Sequence, residues 1–356
     1  MEYNKEIVAT ADIHLCEEYY KYISKPFEEL KKYIKERKPL ITVISGDYFN
    51  SRVNADEDIY HYAIQSLLYI KQYTKHLIII DGTFSHDYNT LEILKTYEKY
   101  IENIHYVKEM KTLKIEGLKI LCLPEEYPEN KEEYYKKAFE NRYDYIFGHG
   151  DIEGALLHNG ADNSMLKGWK FSKKLLSEIA KYTIFGHFHK HQFITKNVLY
   201  IGSLARFKFG EEEDKGYISI TEIYSENPKI EFKVSPTNIM NTIVLNDDED
   251  IKEILKRYKT EDEIKIKIPK GLKEDLLKEI EEYQGKVKID YLIDNKDNEN
   301  EVEYKDIEKM DILNQFLFMY EKEVENKKIP LKHQKFITKE RLKKEVENLI
   351  REEATI

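Results

Sequence analysis

The chain has 356 residues, with 57 Lys or Arg against 67 Asp or Glu, and so a formal net charge of −10. Hydrophobic residues make up 41%, but no apolar run approaches the roughly 20 residues that span a bilayer, which excludes a membrane-spanning helix. The acidic balance argues against wrapping nucleic acid by bulk electrostatics. Only Cys16 and Cys122 occur, which excludes a disulfide framework and fits a reducing, cytoplasmic compartment.

In chain order, the first ten residues run straight into a strand-like segment, which leaves no room for a signal peptide. Strands are predicted at 6–10, 40–44, 77–80, 118–122, 145–147 and 183–185. Their continuous apolar runs suit strands covered on both faces. Between them, 27–37, 58–73 and 90–101 have helical spacing, and Ile59, Ala63, Leu67 and Ile70 fall on one face of the second. Further strands follow at 198–201, 217–223 and 229–234, and Pro236 closes a first α/β domain over 1–236. Residues 237–297 read as a small α/β module, with helices at 248–258 and 272–283 and strands including 263–268 and 287–292. The polar stretch 294–303 reads as a linker. Residues 298–356 form a helical tail. There Met310, Leu313, Phe316, Leu317, Tyr320 and Val324 make an apolar strip. Pro330 breaks the pattern, and Thr338 caps a second helix carrying Leu342, Val346 and Leu349.

Metal-binding side chains recur at the ends of the predicted strands. They are Asp12-Ile-His14, Gly46-Asp47, Gly148-His149 and Gly186-His187-Phe188-His189, and His86-Asp87 lies between the second and third. Hydrolysing a phosphoester needs a nucleophile at neutral pH and compensation for phosphoryl charge, which two adjacent divalent ions supply. Such a site needs one carboxylate able to bridge. Asp47, beside a glycine that allows a tight turn, fills that role. Asp12 and His14 differ by two, as do His187 and His189, so each pair points to one side if strand geometry persists. His86 sits where an acid catalyst is needed. Arg52, Arg206 and Lys208 lie near the motif loops and are candidates for holding DNA phosphates. Tyr48 and Phe188 either stack on bases or wall the site.

This ordered set resembles the calcineurin-like metallophosphoesterase superfamily. A further segment, Tyr200-Ile-Gly-Ser203, then Arg206, Phe209, Gly210 and Glu211, and finally Lys215-Gly216-Tyr217, resembles SbcD-type DNA nucleases. These subunits work with a coiled-coil ATPase in break processing and phage recombination. The resemblance implies a four-layer α-β-β-α sandwich with a small α/β capping domain and a helical C-terminal tail. It assigns Asp12, His14, Asp47 and His189 to one ion, and Asp47, His149 and His187 to the other. His86 would protonate the leaving sugar oxygen, with Asp87 orienting it. Two Mn2+ ions are implied, with Mg2+ as the alternative. The implied reaction is 3′-to-5′ exonuclease cleavage of duplex DNA, with endonuclease activity on single strands or hairpins. The implied partners are DNA, a second copy of the chain paired through helices in the 58–101 region, and an SbcC-like ATPase docked on the tail helices.

One departure stands out. The family pattern is G-N-H-D or G-N-H-E, whereas this chain has Gly82-Thr83-Phe84-Ser85-His86-Asp87, with two extra residues and no asparagine. Ser85 or Thr83 would then offer a hydroxyl, a poorer ligand, or water would fill the position, and the second ion is expected to bind more weakly. Two rival readings stay open: a phosphatase or phosphodiesterase acting on small phosphoesters, and a scaffold subunit with a weakened site.

Overall fold

The structure, a computed structural model, describes residues 2–87, 89–157, 161–166, 168–245, 251–259, 262–268 and 286–291. It is a mixed α/β fold with two six-stranded sheets. In the first sheet β1 (Asn4–Thr10), β2 (Pro39–Ser45), β3 (His76–Ile80) and β4 (Ile104–Val107) run parallel. In the second, β6 (Leu118–Leu123), β7 (Tyr143–His149), β8 (Ala180–Gly186) and β10 (Val198–Tyr200) run parallel. Antiparallel edges complete both. β5 (Lys111–Ile115) lies against β6, and β9 (Gln192–Phe193) against β10. β11 (Gly216–Thr221) lies against β1, with β12 (Lys229–Val234) outside it.

Successive side chains of these strands alternate between two apolar clusters, which is why the runs read as unbroken hydrophobic stretches. From β3, Leu77 and Ile79 join one cluster with Phe27, Leu30, Ala63 and Leu67 of the helices α1 (Tyr20–Arg37) and α2 (Asp58–Tyr73). Ile78 and Ile80 join a second cluster that also holds Ile120, Cys122, Tyr145 and Ile184 of the other sheet. A third cluster collects Leu121, Ile146 and Phe185 with Tyr135 of α5 (Lys131–Phe139) and Leu176 and Ile179 of α6 (Lys173–Ile179).

Three helices differ from their predicted bounds; of the one at 248–258 the described residues are helical only over Ile251–Leu255. α1 starts at Tyr20, ahead of Pro26, and the burial of Tyr22, Ile23, Pro26 and Phe27 offsets the hydrogen bond that proline cannot donate. The predicted 90–101 helix is short: α4 spans Leu94–Tyr100. Asn89 is left-handed (φ 53°), and Thr90, Glu92 and Leu94 donate to carbonyls three residues back, so a run of turns precedes the helix.

A third sheet holds parallel β13 (Met240–Val244), β14 (Glu263–Ile268) and β15 (Lys286–Tyr291), with α7 (Ile251–Leu255) between the first two in sequence. Its Glu263 accepts hydrogen bonds from Lys21 and Tyr22 of α1. The predicted helix at 272–283, the linker at 294–303 and the tail helices lie outside the described residues.

Candidate metal centre

Every motif loop leaves the C-terminal end of a parallel strand, where open α/β sheets gather functional side chains. Register makes the loops meet, since Ser45 of β2 pairs with Ile80 of β3 and His149 of β7 pairs with Gly186 of β8. The two sheets are tied together at this end. The Ser45 hydroxyl donates to the Gly148 carbonyl at 2.8 Å, and His149 Nδ1–H donates to the Ser45 carbonyl at 2.9 Å. Gly46 has to be glycine on two counts. Its φ is +83°, and a Cβ there would stand 2.1 Å from His149 Nδ1.

The loops bring together all six side chains expected from the sequence, and each is buried or partly buried. Possible ligand atoms of Asp12, His14 and His189 lie within 4.8 Å of one another, as do those of Asp12, Asp47 and His149. Asp47 is common to several contacts: its Oδ1 is 3.3 Å from His149 Nε2, and its Oδ2 is 3.9 Å from both His14 Nε2 and His86 Nε2. His14 Nε2 and His189 Nε2 are 2.9 Å apart. His189 Nδ1–H donates to buried Glu211 at 2.8 Å, which fixes the tautomer and leaves the Nε2 lone pair facing His14. Two convergent imidazole nitrogens beside Asp12 and Asp47 fit a divalent cation.

Glu125, just past β6, belongs to a third group with His149 and His187, yet no motif in the sequence marked it. Its Oε2 lies 3.7 Å from His187 Nδ1. Asp151 Oδ1 is 3.9 Å from His187 Nε2 and, buried, has no hydrogen-bond partner among the described residues.

Three expectations are corrected. Ser85 faces solvent in a one-turn helix, α3 (Phe84–Asp87), because the two extra residues coil there; Thr83 is the residue that turns into the site. Asp87 does not orient His86. Its carboxylate is buried and accepts from the backbone N–H of Phe49 and Gly82, pinning the two loops together. His86 Nδ1 instead bonds the Asn50 carbonyl, which directs Nε2 toward Asp47. Arg206 is not placed to hold phosphate, because its guanidinium donates to the carbonyls of Glu211, Glu212, Glu213 and Asn238. Arg52 and Lys208 are exposed.

Charge is strongly redistributed among these side chains. Burial raises Asp12, partly offset by His149 and His189. Burial also works to raise Asp47, but His149, His14 and His86 overcome it and hold the carboxyl below its usual range. Burial and the nearby His189 push His14 well below the ordinary imidazole value. For His149 burial works downward, yet Asp47 wins and lifts it to about 10.

The sequence matches the calcineurin-like phosphoesterase family over residues 5–191, more than half the chain. The chain belongs to this family. A calcineurin-like phosphoesterase hydrolyses phosphoesters with bound metal, and the clustered Asp and His side chains are compatible with a divalent metal site. No curated protein matches this phosphoesterase in sequence. Among solved structures, one crystal structure is 14% identical, with 64% of this chain and 98% of the other covered at a TM-score of 0.41. A Thermotoga maritima protein solved by NMR is 14% identical, with 65% and 99% covered at a TM-score of 0.32. An Aquifex aeolicus protein of unknown function is 14% identical, with 40% and 77% covered at a TM-score of 0.24. None of these likenesses is close enough to speak for function.

Proposed function

We propose that the chain is a metal-dependent DNA nuclease of the SbcD type, cutting duplex ends 3′-to-5′ and single strands or hairpins internally. The observation that carries this reading is how the SbcD-like segment meets the site. Glu211 of that segment holds His189, while Lys215 donates to the His189 carbonyl at 2.9 Å. A stretch that distinguishes the nucleases in sequence thereby supports a candidate ligand directly.

Asp12, His14, His189 and Asp47 would hold one ion, and Asp47, His149 and His187 the other, with Mn2+ as the favoured metal. When bound, such ions acidify water and offset charge on the phosphoryl oxygens. The chain's own residues do the rest. His86, whose Nδ1–H donates to the Asn50 carbonyl, would carry a proton on Nε2 as well when doubly protonated and pass it to the leaving sugar oxygen. Arg52 and Lys208 are the exposed cations that would meet the DNA backbone.

The three apolar clusters support a four-layer α-β-β-α sandwich over 1–236, and the third sheet supports a capping module over 237–297. Pairing of two copies, docking of an SbcC-like ATPase on 298–356 and a cytoplasmic setting complete the proposal. Among the described residues no helix is long and apolar enough to cross a membrane.

The test is cleavage of end-labelled duplex DNA with Mn2+, Mg2+ or chelator, comparing wild type with His86→Ala. Expected are Mn2+-dependent shortening from 3′ ends and a loss of about 10²–10⁴-fold in His86→Ala with metal binding retained. Turnover of nitrophenyl phosphate without DNA cleavage would replace the nuclease reading with one of small phosphoesters.

A further inference from the structure

The family's asparagine, whose amide oxygen would serve the second ion, has no counterpart in the Gly82–Asp87 loop, whose Thr83 reaches the site. Thr83 Oγ1 stands 3.4 Å from both His149 Nε2 and Asp47 Oδ2. It donates to Glu125 Oε2 at 3.0 Å. The other Glu125 oxygen accepts from the Tyr127 hydroxyl at 2.6 Å. Glu125 is therefore aimed by two hydroxyls, with Oε2 directed at His187 and His149.

We propose that Glu125 is a ligand of the second ion in this chain, a carboxylate from the end of β6 replacing the amide lost after β3. The proposal rests on the paired-ion reading above. Charge argues for it independently. Among the described residues, Asp47 and Glu125 form ion pairs with histidines and with no Lys or Arg. With the histidines acting as neutral ligands, these carboxylates would need a cation to offset their desolvation. An anionic oxygen also binds a hard divalent ion more strongly than a neutral amide or hydroxyl does. The consequence reverses the expectation from sequence: the second ion is held by a stronger set of donors. Thr83 orients Glu125 instead of standing in for the asparagine.

The experiment is calorimetric titration of Mn2+ into the metal-free full chain, wild type against Glu125→Gln, with the spin-coupled Mn2+ resonance followed in parallel. Wild type should bind two ions. Glu125→Gln should leave the Kd of one ion unchanged, raise that of the other by at least about tenfold and lose the coupled resonance. Should Glu125→Gln fail to fold, Glu125→Ser is the second variant, with the same expectation. A Glu125 variant that binds two ions with wild-type affinities overturns the assignment and leaves the paired-ion reading standing. A wild type that takes up fewer than two ions overturns both.

Discussion

Asp12, His14 and Asp47 adopt left-handed backbone, with φ of 50°, 51° and 49°. Such conformations cost roughly 1–2 kcal/mol per non-glycine residue. They persist because neighbouring backbone fixes them: Asp12 donates to the Gly46 carbonyl at 3.1 Å, His14 to that of Asp47 at 3.0 Å, and Leu15 to that of Tyr48 at 2.9 Å. The strain turns three side chains toward one point, which a continued strand would not do. The same point governs pH dependence. His149 holds its proton up to about 10 in the ion-free protein because Asp47 outweighs burial. An ion at Asp47 and His149 needs that nitrogen free, so binding should release a proton and weaken as pH falls. Between pH 8 and 6 the affinity for Mn2+ should drop by up to about tenfold per unit. Calorimetry in buffers of different ionisation enthalpy checks this. Binding without proton release would place His149 outside the ion site.

Among the elements, the loop that follows β10 shows how a buried network can align a ligand. Glu211 and Lys215 are both fully buried, 3.5 Å apart, and Lys215 also pairs with Glu213 at 2.7 Å. Burial works to raise Glu211, but His189 and then Lys215 bring it down to about 2. Removing one member of a buried charged set leaves the other uncompensated. Lys215→Met is therefore expected to cost about 3 kcal/mol in urea unfolding and to lower affinity for the ion at His189. A loss under about 1 kcal/mol with unchanged affinity would show that the network is dispensable. The sequence segment containing Arg206, Glu211 and Lys215 resembles one in SbcD-type nucleases, but its physics is not readable there, because three charged residues in a row of turns read equally well as surface. Elements followed the same division. β1, β2, β3 and β12, together with α2, declare themselves by apolar runs or one-sided spacing. α5 fully buries only Tyr135 and carries five charged residues in nine, and β5 exposes three of its five residues, so neither carries a strong apolar signal.

For the whole molecule, the decisive feature is that two sheets of parallel strands deliver their loops to the same end and are pinned there by Ser45 and His149. Strand ends far apart in sequence then converge, which is why the six candidate ligands could be read from their order alone. Glu125 could not. It follows Leu123 and Pro124 without a motif, and only the pairing of β6 with β7 brings it beside His149. In the proposed mechanism two ions share the Asp47 carboxylate. Anomalous scattering from Mn2+-soaked crystals, collected at the manganese edge, tests this most directly. Two peaks flanking Asp47 are expected, one beside His14 and His189 and the other beside His149, His187 and Glu125; a map with no peak next to that carboxylate would contradict the account.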